Sequence, residues 1–254
     1  MNDLVRLQDL VNNPTPRVPV CLCLDTSGSM NQIIGGDVEA TGEQFYEDGK
    51  MWDIVTGGIT AIEELTEGVK AFYDELRNDE VAQYSAEICI VTFGGLNAEL
   101  IADFANIDRQ PELTQLKASG DTPMGEAVNL ALDCLENRKR EYQDKGVDYY
   151  QPWLVLMTDG APNGDPNELE RAIKRTVEMV NSKKLTIFPI GIGSVADMDT
   201  LSRFSPQRMP LHLKEMRFKE FFQWLSQSVA RTSMSMPGEK IKLDIDGLKG
   251  WADL

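Results

Sequence analysis

The chain has 254 residues, 42% of them apolar, and a formal net charge of −16 from 41 acidic and 25 basic side chains. That length and apolar share suit one large α/β domain with a full core. The acidic balance, without any block of clustered lysine and arginine, excludes nucleic acid and anionic membrane as expected partners, because both reward such clusters.

In chain order, residues 1–16 read as an N-terminal arm. They lack the basic start and apolar stretch of a secretion signal, and no run reaches the ~18 apolar residues of a membrane span. The expected location is therefore the cytoplasm. The first strand follows at 18–25, "VPVCLCLD", apolar on both faces as an interior parallel strand would be. Cys21 and Cys23 share one of those faces. With Cys89 and Cys134 they read as small core residues, since none forms a CxxC pair.

Residues 31–51 break the rhythm. They have no clear periodicity and carry Asp37, Glu39, Glu43, Glu47 and Asp48, so they read as an acidic insertion after the first strand. Two readings stand: a solvated loop, or a rim that selects partners beside whatever the preceding residues bind. Beyond it the pattern predicts a helix over 52–77, a strand at 86–93, a helix over 123–142 with Pro123 at its first position, and a strand at 153–158. A helix over 166–183, a strand at 185–192 and a helix over 215–233 follow. In the last, Phe218, Phe221, Phe222, Leu225 and Val229 recur at helical spacing and form a core-facing stripe. The tail, 236–254, is expected to pack back through Ile241, Leu243, Ile245 and Trp251. The main domain, 17–235, is thus expected to be a doubly wound α/β fold, Rossmann-like, with a mostly parallel central sheet flanked by helices.

Ligands of such a sheet bind in the crevice beyond the carboxyl ends of its strands. The first strand ends in Asp25-Thr26-Ser27-Gly28-Ser29, "GDTP" places Asp121 and Thr122 ahead of a helix, and the strand 153–158 runs into Asp159. Taken alone, Asp25, Ser27 and Ser29 also fit a helix N-cap cluster, and Asp121 fits a turn as well as an outer-shell group. Together, two carboxylates and three hydroxyls from separate strand ends make an oxygen-only donor set, remote in sequence from the single histidine, His212. Such donors suit Mg²⁺, with Mn²⁺ or Ca²⁺ as alternatives, and disfavour zinc, copper and iron. An Asp or Glu of a partner protein would complete the shell. Two other stretches are turns: "GIGSVAD" at 191–197 lacks the third glycine of a dinucleotide loop, and "DIDG" at 244–247 lacks the remaining ligands of a calcium loop.

"DTSGSM", the downstream "GDT" and "TDG" resemble the metal-ion-dependent adhesion site of von Willebrand factor A domains, whose pattern is Asp-x-Ser-x-Ser, a distant Thr and a distant Asp. The matching positions are Asp25, Ser27 and Ser29, then Thr122, then Asp159. The resemblance implies that Ser27, Ser29 and Thr122 coordinate Mg²⁺ through their hydroxyls, while Asp25 and Asp159 act directly or through water. "LQDLVNNPTPRVPVCLCLDTSGSM", "GDTPMGEA", "FPIGIGSVADMDTLSRFS" and "FFQWLSQSV" are similar to the stand-alone bacterial members of the tellurium-resistance, TerY-like group. That resemblance implies a cytoplasmic adaptor of stress-response or phage-defence gene clusters, sometimes beside a kinase and a phosphatase; it does not imply a chemical reaction. The insertion 31–51 departs from the commoner pattern.

The competing expectation is a Mg²⁺-dependent phosphoaspartate-type phosphatase or phosphotransferase, with Asp25 as nucleophile and Asp159 as metal ligand. It is weakened by Ser27, which stands where an Asp-x-Asp opening needs its acid/base carboxylate.

Overall fold

The computed structural model describes Leu10 and residues 12–47, 50–213, 217–239 and 252–253. The strands are β1 (Val18–Asp25), β2 (Ile33–Glu47), β3 (Lys50–Thr60), β4 (Ala86–Gly94), β5 (Asn97–Asn106), β6 (Trp153–Thr158), β7 (Thr186–Ile192), β8 (Leu211–Leu213) and β9 (Ala252–Asp253). The helices longer than one turn are α1 (Ala61–Asn78), α2 (Met124–Lys145), α3 (Pro166–Asn181), α4 (Met198–Phe204) and α5 (Phe218–Ser233). Seven strands form the central sheet in the order β5-β4-β1-β6-β7-β8-β9, parallel except for β5 on β4 and β9 on β8.

The continuously apolar segments take the middle of this sheet because only there are both faces covered. Every residue of β1 and β6 is buried. On one side Val18, Val20, Leu22 and Leu24 meet residues of α1 and α5; on the other Cys21, Cys23 and Cys89 meet residues of α2 and α3. The cysteines are free thiols in that second core, where burial pushes the pKa values of Cys21, Cys23 and Cys89 up. The stripe of α5 is buried as its spacing predicts. It lies so close to α1 that a Cβ at Gly68 would come within 2.8 Å of the Phe222 ring. Among the described residues no helix is long and apolar enough to cross a membrane.

Three expectations are corrected. The helix expected from 52 begins only at Ala61, where Thr60 and Glu63 form a reciprocal capping box. The insertion is neither a loop nor confined to 31–51: β2 and β3 pair into an antiparallel hairpin, a two-stranded sheet of its own that runs on to Thr60. Its pairing shifts register three times and Gly36, Gly42, Gly57 and Gly58 have positive φ, which erases the simple alternation by which a strand is recognised. Pro123 is the N-cap of α2 and not its first helical residue. The tail residues Ile241, Leu243, Ile245 and Trp251, and Asp48 of the insertion, lie outside the described residues.

The chain leaves β1 for β4 on one side and comes back to β6 on the other. The strand order therefore reverses at β1, and a crevice opens beyond its carboxyl end.

Candidate metal centre

Asp25 closes β1 in that crevice and is fully buried. Its Oδ1 accepts the Ser27 backbone N–H at 2.8 Å, and its Oδ2 accepts the Thr158 hydroxyl at 2.5 Å. Ser27 opens a short 3-10 turn, Gly28–Asn31, but its side chain makes no capping bond. Its Oγ lies instead 3.0 Å from Ser29 Oγ. Ser29 Oγ in turn donates to Asp159 Oδ1 at 2.7 Å, across 130 positions of sequence. The N-cap reading of the serines is thereby set aside, since their hydroxyls turn toward the second strand end and not back to the helix backbone.

Thr122 is brought alongside by backbone contacts. Gly28 donates its N–H to Gly120 O at 3.0 Å. Gly120, at φ +62°, packs so tightly on Gly95 that a Cβ there would collide with Gly95 Cα. Thr122 is itself buried, its N–H donating to Asn163 Oδ1 at 2.5 Å and its carbonyl accepting the Asn163 N–H at 3.2 Å. Asp121 is exposed and accepts the Asn163 side-chain amide at 3.1 Å, so it ties two loops together as a turn residue does. Sequence reasoning missed Thr158 and Asn163. Thr158 is the last residue of β6, and Asn163 sits in the Gly/Pro/Asn-rich loop "DGAPNG", a pattern that marks a turn without saying which backbone it will grip.

The electrostatics of the cluster are one-sided. Burial drives the Asp25 carboxyl from its ordinary 3.8 up to about 6, against the hydrogen bonds from Ser27 and Thr158 that lower it and with the neighbouring Asp159 adding to the rise. Burial also raises Asp159, opposed by the Ser29 bond. No lysine, arginine or histidine side chain hydrogen-bonds to either carboxylate among the described residues. His212 bonds Gly193 O on the far side of β7. Two buried carboxylates with only neutral hydroxyls around them are a donor set that suits a cation. Among the described residues no three His, Cys, Asp or Glu side chains converge, so the candidate site consists of two carboxylates and hydroxyls. Two carboxylates and several hydroxyls fit a hard divalent ion that keeps some of its water.

The model of the von Willebrand factor type A domain matches residues 58–223, well over half of the chain. The chain belongs to that family. The match starts downstream of Asp25, Ser27 and Ser29, so their part in a von Willebrand factor A site rests on the geometry above. Among curated proteins none matches this chain. Solved structures of the same fold include a von Willebrand factor type A protein from Catenulispora acidiphila, with TM-score 0.53 and 16% identity over 85% of this chain and 43% of that one. The vWF domain of the type V pili tip protein Mfa5 from Porphyromonas gingivalis gives TM-score 0.55 and 11% identity, covering 89% of this chain and 99% of that one. The pilus adhesin SpaC from Lactobacillus rhamnosus GG gives 0.57 and 10%, covering 85% and 31%. At these identities the likeness is one of fold. The chain spans less than half the length of the first of these structures.

Proposed function

We propose that this von Willebrand factor A domain is a cation-dependent protein-binding module. Asp25, Ser27, Ser29, Thr122 and Asp159 would hold a divalent ion, Mg²⁺ before Mn²⁺ or Ca²⁺, and an Asp or Glu of a partner protein would complete its shell. The observation that carries this is the convergence of two buried carboxylates, Asp25 and Asp159, with the Ser27, Ser29 and Thr158 hydroxyls and, among the described residues, no basic side chain bonded to them. When bound, the ion supplies a Lewis-acidic face toward a carboxylate of the partner. The protein's own part is to hold the oxygens ready: Thr158 and the Ser27 N–H fix both Asp25 oxygens, Ser29 orients Asp159, and Asn163 grips the backbone of Thr122.

No reaction is assigned to the site. A nucleophilic Asp25 is disfavoured because both its oxygens are engaged and the side chain has no exposed surface. The likeness of the quoted stretches to the tellurium-resistance group supports an adaptor role in a bacterial stress-response or defence system. It points to a cytoplasmic setting and to a kinase or phosphatase of the same gene cluster as partner.

Thermal unfolding with MgCl₂ and with EDTA tests the site. At a cation concentration about a hundredfold above Kd the wild type gains about 2.7 kcal/mol. Asp25→Ala and a Ser27→Ala/Ser29→Ala double variant should fold and lose that gain. An equal gain in the variants would place cation binding elsewhere. Pull-downs with the same proteins would then show whether partner capture follows the cation.

A further inference from the structure

The hairpin of β2 and β3 begins two residues after the 3-10 turn that carries Ser29, and returns to the body at Thr60. Gln32 O accepts the Ala61 N–H at 2.9 Å, so both legs are rooted at the rim of the crevice. An isolated two-stranded ribbon is marginal in water without a surface to pack on. This one nevertheless displays large apolar side chains: Tyr46 is 70% exposed, Met51 59% and Val55 37%. Their placement is ordered. Tyr46 pairs directly with Met51 and Ala40 with Val55, and positions 51 and 55 share a parity on β3, so these four residues occupy one face of the ribbon, with the pair of positions 44 and 53 between them. Val38 and Ile59 are also exposed, nearer the base.

The sequence of the hairpin is strongly acidic. Residues 33–60 contain Asp37, Glu39, Glu43, Glu47, Asp48 and Asp53 against a single cation, Lys50. A second copy of the chain would bring the same acidic ribbon and a further −16 of net charge, and an anionic lipid surface is repelled for the same reason. We propose that the apolar face of the hairpin is a docking surface for a protein segment of complementary character, apolar along one side and rich in lysine or arginine along its flanks. This goes beyond the acidic residues that the sequence offers for partner choice: apolar side chains supply the contact and carboxylates select the sign of the partner. It does not depend on the cation site.

The test uses two labelled peptides of about 12 residues, a length matched to the ribbon at ~3.3 Å per residue. One alternates valine with lysine and the other valine with glutamate. Fluorescence anisotropy is read in EDTA, so the result is independent of any bound cation. The lysine peptide should bind the wild type at least about tenfold more tightly than the glutamate peptide, and raising the salt to about 0.5 M should weaken it. Val38→Ser/Met51→Ser/Val55→Ser should weaken it about tenfold, the circular dichroism of the domain being unchanged. Glu39→Lys/Glu43→Lys, which leaves the apolar face intact, should remove most of the preference for the lysine peptide. Equal binding of both peptides, binding unchanged in the triple variant, or no binding of either peptide would overturn the proposal. So would dimerisation of the wild type that the triple variant abolishes, since the occupant would then be a second copy.

Discussion

Removing Glu87 should cost the protein much of its stability while leaving the cation site untouched. Glu87 lies at the amino end of β4 and is fully buried. Its Oε1 accepts Arg17 Nε at 3.0 Å; its Oε2 accepts Arg138 Nε at 2.7 Å and the Tyr142 hydroxyl at 2.6 Å. Arg17 and Tyr142 are fully buried too, and Arg138 nearly so. Burial opposes the charge on Arg138, yet Glu87 keeps its pKa above the ordinary arginine value. Three charge-assisted bonds at about 1.5–3 kcal/mol each set an upper range for Glu87→Ala. Part is retained, because Arg138 keeps Glu141 at 2.5 Å and Arg17 keeps the carbonyls of Thr15 and Asn13. Stranding two guanidinium groups in the interior brings the expected loss to about 4 kcal/mol, a large share of the ~5–15 kcal/mol by which domains are stable. Glu87→Gln, which keeps the volume and an acceptor, should lose about half of that. Urea unfolding followed by far-UV circular dichroism measures both through the midpoint at constant slope. Pro19 pairs with Glu87 and Phe93 with Asp25, so the network lies six residues along the strand from the site, about 20 Å. The Mg²⁺-induced gain in stability should therefore be unchanged. A loss below about 1 kcal/mol for Glu87→Ala would refute the assignment of this network as a structural anchor.

Three further outcomes follow from the site. In EDTA the rise of Asp25 from 3.8 to about 6 makes its ionised form unfavourable in the fold. A raised acid favours folding at low pH and loses that contribution as pH climbs through the folded value, so stability should fall by up to about 3 kcal/mol between pH 4 and 7. Asp25→Asn should flatten the urea midpoint over that interval, and an unchanged slope would mean that Asp25 is not the group responsible. Asn163→Ala frees the Thr122 backbone and should raise the Kd for Mg²⁺ about tenfold by calorimetry, with little loss of stability because the loop is at the surface. Gly94→Ala places a Cβ onto the Thr26 carbonyl, so the segment leading to Ser27 must shift. Unfolding should occur about 2 kcal/mol earlier, and the Mg²⁺ response should weaken; a wild-type response would show that the segment relaxes freely.

Much of the candidate site is legible in one dimension. A buried parallel strand must be apolar on both faces, so Asp25 at the end of "VPVCLCLD" and Asp159 at the end of "WLVLMTD" announce strand tips. The Thr60–Glu63 capping box also lies in the sequence and marks the true start of α1, although the apolar pattern from 52 suggested an earlier one. Edge strands are harder to read: β5 is half exposed and alternates irregularly, because only one face is covered and it pairs on one side. The hairpin was hidden for a different reason, its bulges and positive-φ glycines breaking the period of two.

The sequence by itself determined the four central strands β1, β4, β6 and β7 with the helices between them, the hard oxygen donors and the acidic surroundings, because hydrophobic periodicity and side-chain chemistry are local properties. Only the tertiary structure decided that Ser29 meets Asp159, that Thr158 holds Asp25, that Asn163 grips Thr122, and that Tyr46, Met51 and Val55 share one face. Those pairings depend on strand order, register and loop packing between residues far apart in the chain, and register turns on bulges whose position no local pattern records.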